Sequence, residues 1–341
     1  MSAPFKVGIT RDFLLENGTS GYGDIGLSLL ENAENVSFDY LEEDARELTA
    51  EQVRDYHGLL VLSPRLTAAS LVGNDQLRVV ARFGVGFDSV DVAACSQNGT
   101  LLTITPNAVR RPVAISALTF LLSLSHRLLI KDQLTRTGNW NQRLHHMGQG
   151  LAGRTLGVIG VGNIGQEVFR VCQNLDLRFV GYDPHTPAAA VAPLGVQMLS
   201  LEDVLRQADY LVICCALVPA TRHMLPAERL ALMKPSSFLI NVSRGPVVDQ
   251  AALYAALVNQ RIQGAGLDVF EQEPIDPDDP LLKLENVILA PHSLCWTDQF
   301  FKGIGYEACQ SIIDVAQGKR PSGMVNPEAL EHPHLHAQLQ R

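Results

Sequence analysis

The segment from Arg154 to Asp183 limits what this chain can fold into more tightly than any other. Leu156 to Ile159 is a short apolar run of the kind a buried strand carries, and Gly160, Gly162 and Gly165 follow it as G-x-G-x-x-G. Ile164, Val168, Val171 and Leu175 then recur at helical spacing. Phe179 to Tyr182 reads as a second strand with Asp183 at its end. Each part has a physical task. Gly160 allows the tight turn, Gly162 lets the backbone approach a pyrophosphate, and Gly165 lets the helix pack closely on the strand. The helix N-terminus offers free N–H groups and a positive dipole end to phosphates. Asp183 can accept both hydrogen bonds of an adenosine ribose diol. A Gly-rich turn alone is a weak signal; strand, helix and terminal acid together point to a dinucleotide. A 2′-phosphate would meet like charge at Asp183, and no Arg or Lys follows in P-H-T-P-A-A-A, so NAD is expected over NADP.

The chain has 341 residues, enough for two domains, and its 46% apolar and 18% charged residues are those of an ordinary globular protein. A net charge of −9 argues against general binding to nucleic acid or anionic membranes. The start, M-S-A-P-F-K-V-G-I-T, carries no basic-then-apolar leader, and the apolar run Ala117 to Leu124 is too short to span a bilayer. Six scattered cysteines show no C-x-x-C and no zinc spacing. Reduced core thiols, no metal and a cytoplasmic location are the expectations.

Strands are expected at Phe5–Ile9, Gly58–Leu62, Leu77–Phe83 and Leu101–Thr105, with a helix at Ala50–Tyr56. Past Pro106 and Pro112, Val113–Leu129 reads as a strongly apolar helix. After Asp183, strands are expected at Tyr210–Cys215, Phe238–Val242, Gly264–Val269 and Val287–Ala290, and helices at Asp249–Val258 and Asp298–Ala316. The alternation predicts an α/β fold of two doubly wound, Rossmann-like lobes, with ligands beyond the carboxyl ends of the strands.

Three strand ends in the second half carry polar residues: Arg244 in N-V-S-R-G, Asp268 and Glu273 in L-D-V-F-E-Q-E-P, and His292 in A-P-H-S. A guanidinium, a carboxylate and an imidazole near a nicotinamide suit the oxidation of an alcohol or the reverse. A histidine gives or takes the hydroxyl proton. Glu273 fixes its tautomer and stabilises imidazolium. Arg244 grips a substrate carboxylate and polarises the carbonyl.

The pieces R-F-G-V-G-F-D-S-V-D, G-V-G-N-I-G, L-M-K-P-S-S-F-L-I-N-V-S-R-G-P-V-V-D, G-A-G-L-D-V-F-E-Q-E-P, A-P-H and V-N-P occur in this order over about residues 58 to 326. Together they resemble the D-isomer-specific 2-hydroxyacid dehydrogenases, a family that includes glyoxylate/hydroxypyruvate reductases, D-lactate dehydrogenases and phosphoglycerate dehydrogenases. The resemblance implies Arg244, Glu273 and His292 as the catalytic set. It implies Val85 and Gly86 as the loop whose N–H groups hold the substrate carboxylate, with Val85 also near the cofactor. Asn163, Ile164, Asp183, Cys215, Val242, Ser243, Arg244, Asp268 and His292 are implied as cofactor contacts, Asp268 orienting the nicotinamide carboxamide. A flavodoxin-like substrate domain of residues 1–106 and 297–341 is expected to join an NAD-binding Rossmann domain of residues 107–296. A homodimer through the NAD-binding domain is expected too.

Departures bear on substrate. Where many members place an Arg after the second strand, this chain has Leu62-Ser63-Pro64-Arg65, which weakens a phosphorylated-substrate reading. S-L-C-W-T follows His292, leaving Trp296 either walling the pocket or packing between lobes. Arg110 and Arg111 read as a helix cap more readily than as ligand contacts, and the Gly-rich stretch Asn17–Gly26 has no evident purpose. Phosphoglycerate dehydrogenase-like activity and a non-enzymatic NAD-sensing protein on the same fold are the alternatives. Glu273 speaks against formate dehydrogenase, which resembles this family but pairs its His with Gln.

Overall fold

Runs such as Tyr210–Ile213, four residues without a charge and all buried, are what a strand covered on both faces requires. The computed structural model describes residues 4–339; residues 1–3, 340 and 341, which the expected boundaries include, lie outside the described residues. Two parallel sheets account for the strands, and the chain divides into one unit of residues 1–109 and 296–341 and another of residues 110–295.

In the first unit, β1 (Phe5–Ile9), β2 (Val36–Tyr40), β3 (Gly58–Val61), β4 (Val79–Arg82) and β5 (Leu101–Thr103) lie in the order β2-β1-β3-β4-β5. This is the flavodoxin-like order. Thr10 and Asp12, just past β1, hold the chain leaving β3. The Thr10 hydroxyl oxygen accepts the Leu62 N–H (3.1 Å), and an Asp12 carboxylate oxygen accepts that of Ser63 (2.9 Å). Arg65 is exposed, its backbone bonded to Arg46 and Leu48. The Asn17–Gly26 stretch carries Tyr22 onto Phe301 (ring centroids 4.8 Å apart), Trp296 (5.6 Å) and Phe13 (5.9 Å). That cluster gives the stretch a packing role and places Trp296 in this unit.

Residues 323–326 run antiparallel along the free edge of β5. Val325 N–H donates to Leu102 O (2.9 Å) and Ile104 N–H to Gly323 O (3.0 Å). Asn326, fully buried, completes the seam. Its Oδ1 accepts the Leu102 N–H (2.7 Å), and its Nδ2 donates to Thr100 O (2.9 Å) and Ser96 Oγ (3.1 Å).

In the second unit, β6 (Thr155–Ile159), β7 (Arg178–Tyr182), β8 (Val196–Met198), β9 (Tyr210–Ile213), β10 (Phe238–Asn241), β11 (Gly264–Leu267) and β12 (Val287–Leu289) form a seven-stranded parallel sheet in the order β12-β11-β10-β9-β6-β7-β8. The order reverses at β6, the doubly wound pattern whose switch point takes the ligand. Alternation along β9 feeds two cores: Leu211 and Ile213 join Leu239 and Leu267 on one face, and Tyr210 and Val212 join Phe120 and Ile240 on the other.

The expected helix Val113–Leu129 is instead Pro106–Ser125, followed by a separate helix, Leu128–Arg136. Arg127, in the left-handed region at φ +52°, ends the first. Pro112 lies inside it, where its ring removes one helical hydrogen bond. At 20 residues this helix is long and apolar enough to cross a bilayer, unlike the shorter run read from sequence. Ala114, Ala117, Phe120, Leu121 and Leu124 are nevertheless buried against the sheet, as in a core helix. Arg110 and Arg111 do not cap a helix: with Arg170 they surround the buried Glu167, at 3.7, 2.9 and 3.2 Å. Burial pushes the Glu167 carboxyl up, and the arginines outweigh this and hold it below its usual range.

Removing the Asn326 side chain orphans the buried Leu102 N–H and Thr100 carbonyl, each worth about 1–3 kcal/mol. Asn326→Ala is therefore expected to destabilise the protein by about 3 kcal/mol, read from the midpoint of urea unfolding; an unchanged midpoint would contradict the seam's role.

Candidate active site

The Gly-rich turn brings three elements within backbone contact. Gly160 follows β6 at φ +87°, and a β-carbon there would strike the backbone of Cys215, just past β9. A β-carbon on Gly165 would strike the Gly160 carbonyl, so the helix Asn163–Val171 begins hard against the strand end. Gly162 is exposed, with nothing within 4 Å of where a β-carbon would stand. Asn163 beside it is exposed and Ile164 half-buried. An open backbone at a helix N-terminus is the cradle a pyrophosphate needs.

Asp183 closes β7. One carboxylate oxygen accepts the N–H groups of His185 (2.8 Å) and Thr186 (3.2 Å). The Thr186 hydroxyl reaches back to Val161 O (3.2 Å), tying the acid to the Gly-rich turn. Burial, with a contribution from the Asp183 charge, pushes the Cys215 thiol up to about 11, which keeps it neutral.

Past β10 the chain turns on Asn241, a residue the sequence reading passed over. Its Oδ1 accepts both the N–H and the hydroxyl of Ser243 (3.0 Å each), and its Nδ2 donates to Arg244 O (3.0 Å). Ser243 is buried, Val242 and Arg244 half-buried. The Arg244 guanidinium donates to Ser243 O (2.8 Å). Gly245 comes next, where any β-carbon would collide with the Phe270–Glu271 peptide. Glycine here lets the loop after β10 lie directly on the loop after β11.

Asp268, buried at the end of β11, accepts the N–H groups of Ser293 (2.9 Å) and Leu294 (3.2 Å). It thus fixes the loop that carries His292. Glu273 accepts the Phe270 N–H on Oε1 (2.9 Å), and its Oε2 meets His292 Nδ1 at 2.7 Å. The Glu273–Pro274 peptide is cis, and His292 sits at φ +55°. The two carboxyls titrate in opposite directions. Burial raises Asp268, with backbone N–H groups and the His292 charge only partly offsetting it. Burial also pushes Glu273 up, but the His292 contact, the Phe270 N–H and the Arg244 charge together hold it below its usual range. Glu273 is therefore the ionised partner that a protonated imidazole needs.

Arg244, Asp268, Glu273 and His292 are thus brought together at one edge of the second unit. Val85 and Gly86 belong to the first unit. They follow β4 at Gly84, whose φ is +132°, whose N–H donates to Arg82 O (2.9 Å) and whose carbonyl accepts the Thr105 N–H (3.0 Å).

Residues 118–293 match the family described as D-isomer specific 2-hydroxyacid dehydrogenase, NAD binding domain. This chain belongs to that family. The dehydrogenase is 36% identical over 313 residues to a glyoxylate reductase of Korarchaeum cryptofilum, covering 90% of this chain and 94% of that protein. It is 33% identical over 283 residues to a D-3-phosphoglycerate dehydrogenase of Methanocaldococcus jannaschii, covering 82% of this chain and 54% of the relative. A D-lactate dehydrogenase from Aquifex aeolicus, solved with NAD and lactic acid, superposes with a TM-score of 0.79 at 27% identity over 92% of this chain and 96% of that one. The dehydrogenase is accordingly an oxidoreductase acting on CH–OH groups.

Gly245→Ala is expected to force the Arg244 loop off the Phe270–Glu271 peptide. A displacement of the order of 1 Å costs about 100-fold in rate. Steady-state kcat/KM with a 2-oxo acid checks this, and wild-type kinetics would refute the contact's importance.

Proposed function

We propose that this dehydrogenase runs as an NAD-dependent reductase of small unphosphorylated 2-oxo acids, glyoxylate and hydroxypyruvate being the favoured class. The Glu273–His292 contact of 2.7 Å carries the reading, because it pairs an ionised carboxylate with an imidazole that can hold and release a proton. Engaging Nδ1 leaves Nε2 for proton exchange. Bound NADH supplies the hydride that adds to C2. Arg244 polarises the C2 carbonyl and grips the substrate carboxylate. His292 delivers its proton to the carbonyl oxygen as C2 is reduced, and the imidazole left behind reloads from water.

The open backbone at Gly162 and the placement of Asp183 support a dinucleotide. Asp183 favours NAD over NADP through repulsion of a 2′-phosphate. Leu62, half-buried, stands beyond β3 where a cation would serve a phosphorylated substrate, and the relatives named glyoxylate reductase support the same choice.

We also propose a homodimer through the NAD-binding unit. Helix Leu128–Arg136 buries no residue, and Leu128, Leu129, Trp140, Leu144 and Met147 are all exposed, the last two at 76% and 77%. Five large apolar side chains on one short stretch suit a covered face, and a second copy of this chain is the occupant we assign. Light scattering should give twice the chain mass for the wild type and a monomer for Leu144→Asp with Leu128→Asp; a monomeric wild type would end the proposal.

Wild-type enzyme should oxidise NADH with glyoxylate or hydroxypyruvate, and NADPH more weakly at equal concentration. His292→Ala should lose about 100- to 10,000-fold in rate. Glu273→Gln removes the charge that favours imidazolium, so reduction should fail at a lower pH than in the wild type. Turnover that survives His292→Ala, or a pH profile indifferent to Glu273→Gln, would overturn these assignments.

A further inference from the structure

His223 lies between β9 and the short helix Ala227–Leu230, outside every motif that marked the site. Its backbone N–H donates to Pro246 O at 2.8 Å, two residues past Arg244. Leu225 N–H donates to Val247 O, and Asp249 N–H to Leu225 O (3.3 Å each), extending that seam along the Arg244 loop. On its other side, His223 Nε2 meets Glu271 Oε1 at 2.8 Å. Glu271 Oε1 also accepts the Gln250 N–H (3.2 Å), and Gln250 Oε1 accepts the Glu271 N–H (3.1 Å). Glu271 shares with Phe270 the peptide on which Gly245 rests, and the Phe270 N–H holds Glu273. One residue therefore joins the loops that follow β9, β10 and β11.

The backbone of His223 supports a constrained role. Its φ is +47°, a conformation that a residue with a β-carbon adopts at a cost. Two hydrogen bonds that His223 donates, one from its backbone N–H to Pro246 O and one from its ring to Glu271, hold it there.

We infer that His223, acting through Glu271, is a positioning residue that sets the spacing between Arg244 and the Glu273–His292 pair. The inference rests on the roles proposed above for those three residues. His223 touches none of the reacting atoms; it aligns the loop that grips the substrate carboxylate with the loop that orients the proton donor.

The test compares wild type with His223→Ala, Glu271→Ala, their double variant, His223→Gln and His223→Gly. Glyoxylate reduction and amide hydrogen exchange are the two readouts. His223→Ala and Glu271→Ala should each lower kcat/KM for glyoxylate about tenfold, a fraction of the cost of a 1 Å misplacement, while the KM for NADH stays within about twofold of wild type, because the Gly-rich turn is untouched. The double variant should be no worse than the poorer single one, since both cut one path. His223→Gln should recover most of the loss, because its amide nitrogen has about the reach of the histidine Nε2 and can donate to Glu271. His223→Gly should not recover it, although it relieves the backbone. Exchange in segments 244–249 and 268–274 should quicken in His223→Ala and stay unchanged in helix Asn163–Val171.

Wild-type kinetics and exchange in His223→Ala would overturn the inference, as would additive losses in the double variant or full recovery by His223→Gly. A wild type that reduces no 2-oxo acid would overturn the proposed function and the positioning role with it. Unchanged exchange beside a working wild type would remove the brace alone.

Discussion

Every strand of the seven-stranded sheet runs the same way, so all of their carboxyl ends open onto a single edge. That one constraint places the site. The Gly-rich turn after β6, Asp183 after β7, Cys215 after β9, Arg244 after β10, Asp268 after β11 and His292 after β12 are far apart in sequence and share an edge only because no strand reverses. Parallel pairing leaves each loop free to be shaped locally. Asn241 shapes the Arg244 turn, Asp268 anchors the loop beyond His292, and Gly245 lets two loops touch backbone to backbone.

Within that edge, the same kind of side chain is used in two ways. Asp268 and Glu273 both feel His292, and Asp268 feels the Glu273 charge as well. Asp268 is the more deeply buried, and its hydrogen bonds come from backbone N–H groups, so desolvation prevails and its affinity for a proton rises. Glu273 is open enough to meet an imidazole directly, so attraction prevails and it stays ionised. The first is a structural anchor for a loop, the second an ionised hydrogen-bond partner for an imidazole.

Much of this was legible in the sequence, for identifiable reasons. Buried parallel strands are continuous apolar runs, so β1, β3, β9, β10 and β11 announce themselves. The two strands that went unread, β2 and β8, are both edge strands. Val36–Tyr40 alternates half-buried and exposed residues, and Val196–Met198 is only three residues long, so neither offers such a run. Arg244, Glu273 and His292 stood out because polar residues directly after apolar strands are conspicuous. Asn241 is equally polar but sits inside the strand run, and His223 occupies a loop with no pattern around it; their roles are set by hydrogen bonds that sequence spacing does not encode. Arg110 and Arg111 were misread because their partner, Glu167, is buried on a helix distant in sequence.

The antiparallel seam at residues 323–326 has a meaning beyond holding the chain down. β5 lies at one end of the five-stranded sheet and, left bare, would show a row of N–H and C=O groups to any passing strand. Sheet edges of that kind recruit neighbouring molecules and grow into aggregates. By laying its own backbone against Leu102 and Ile104, with Asn326 closing the last donor and acceptor, the chain terminates its sheet from within. The residues that finish the fold are therefore also those that deny this edge to a strand of a neighbouring molecule.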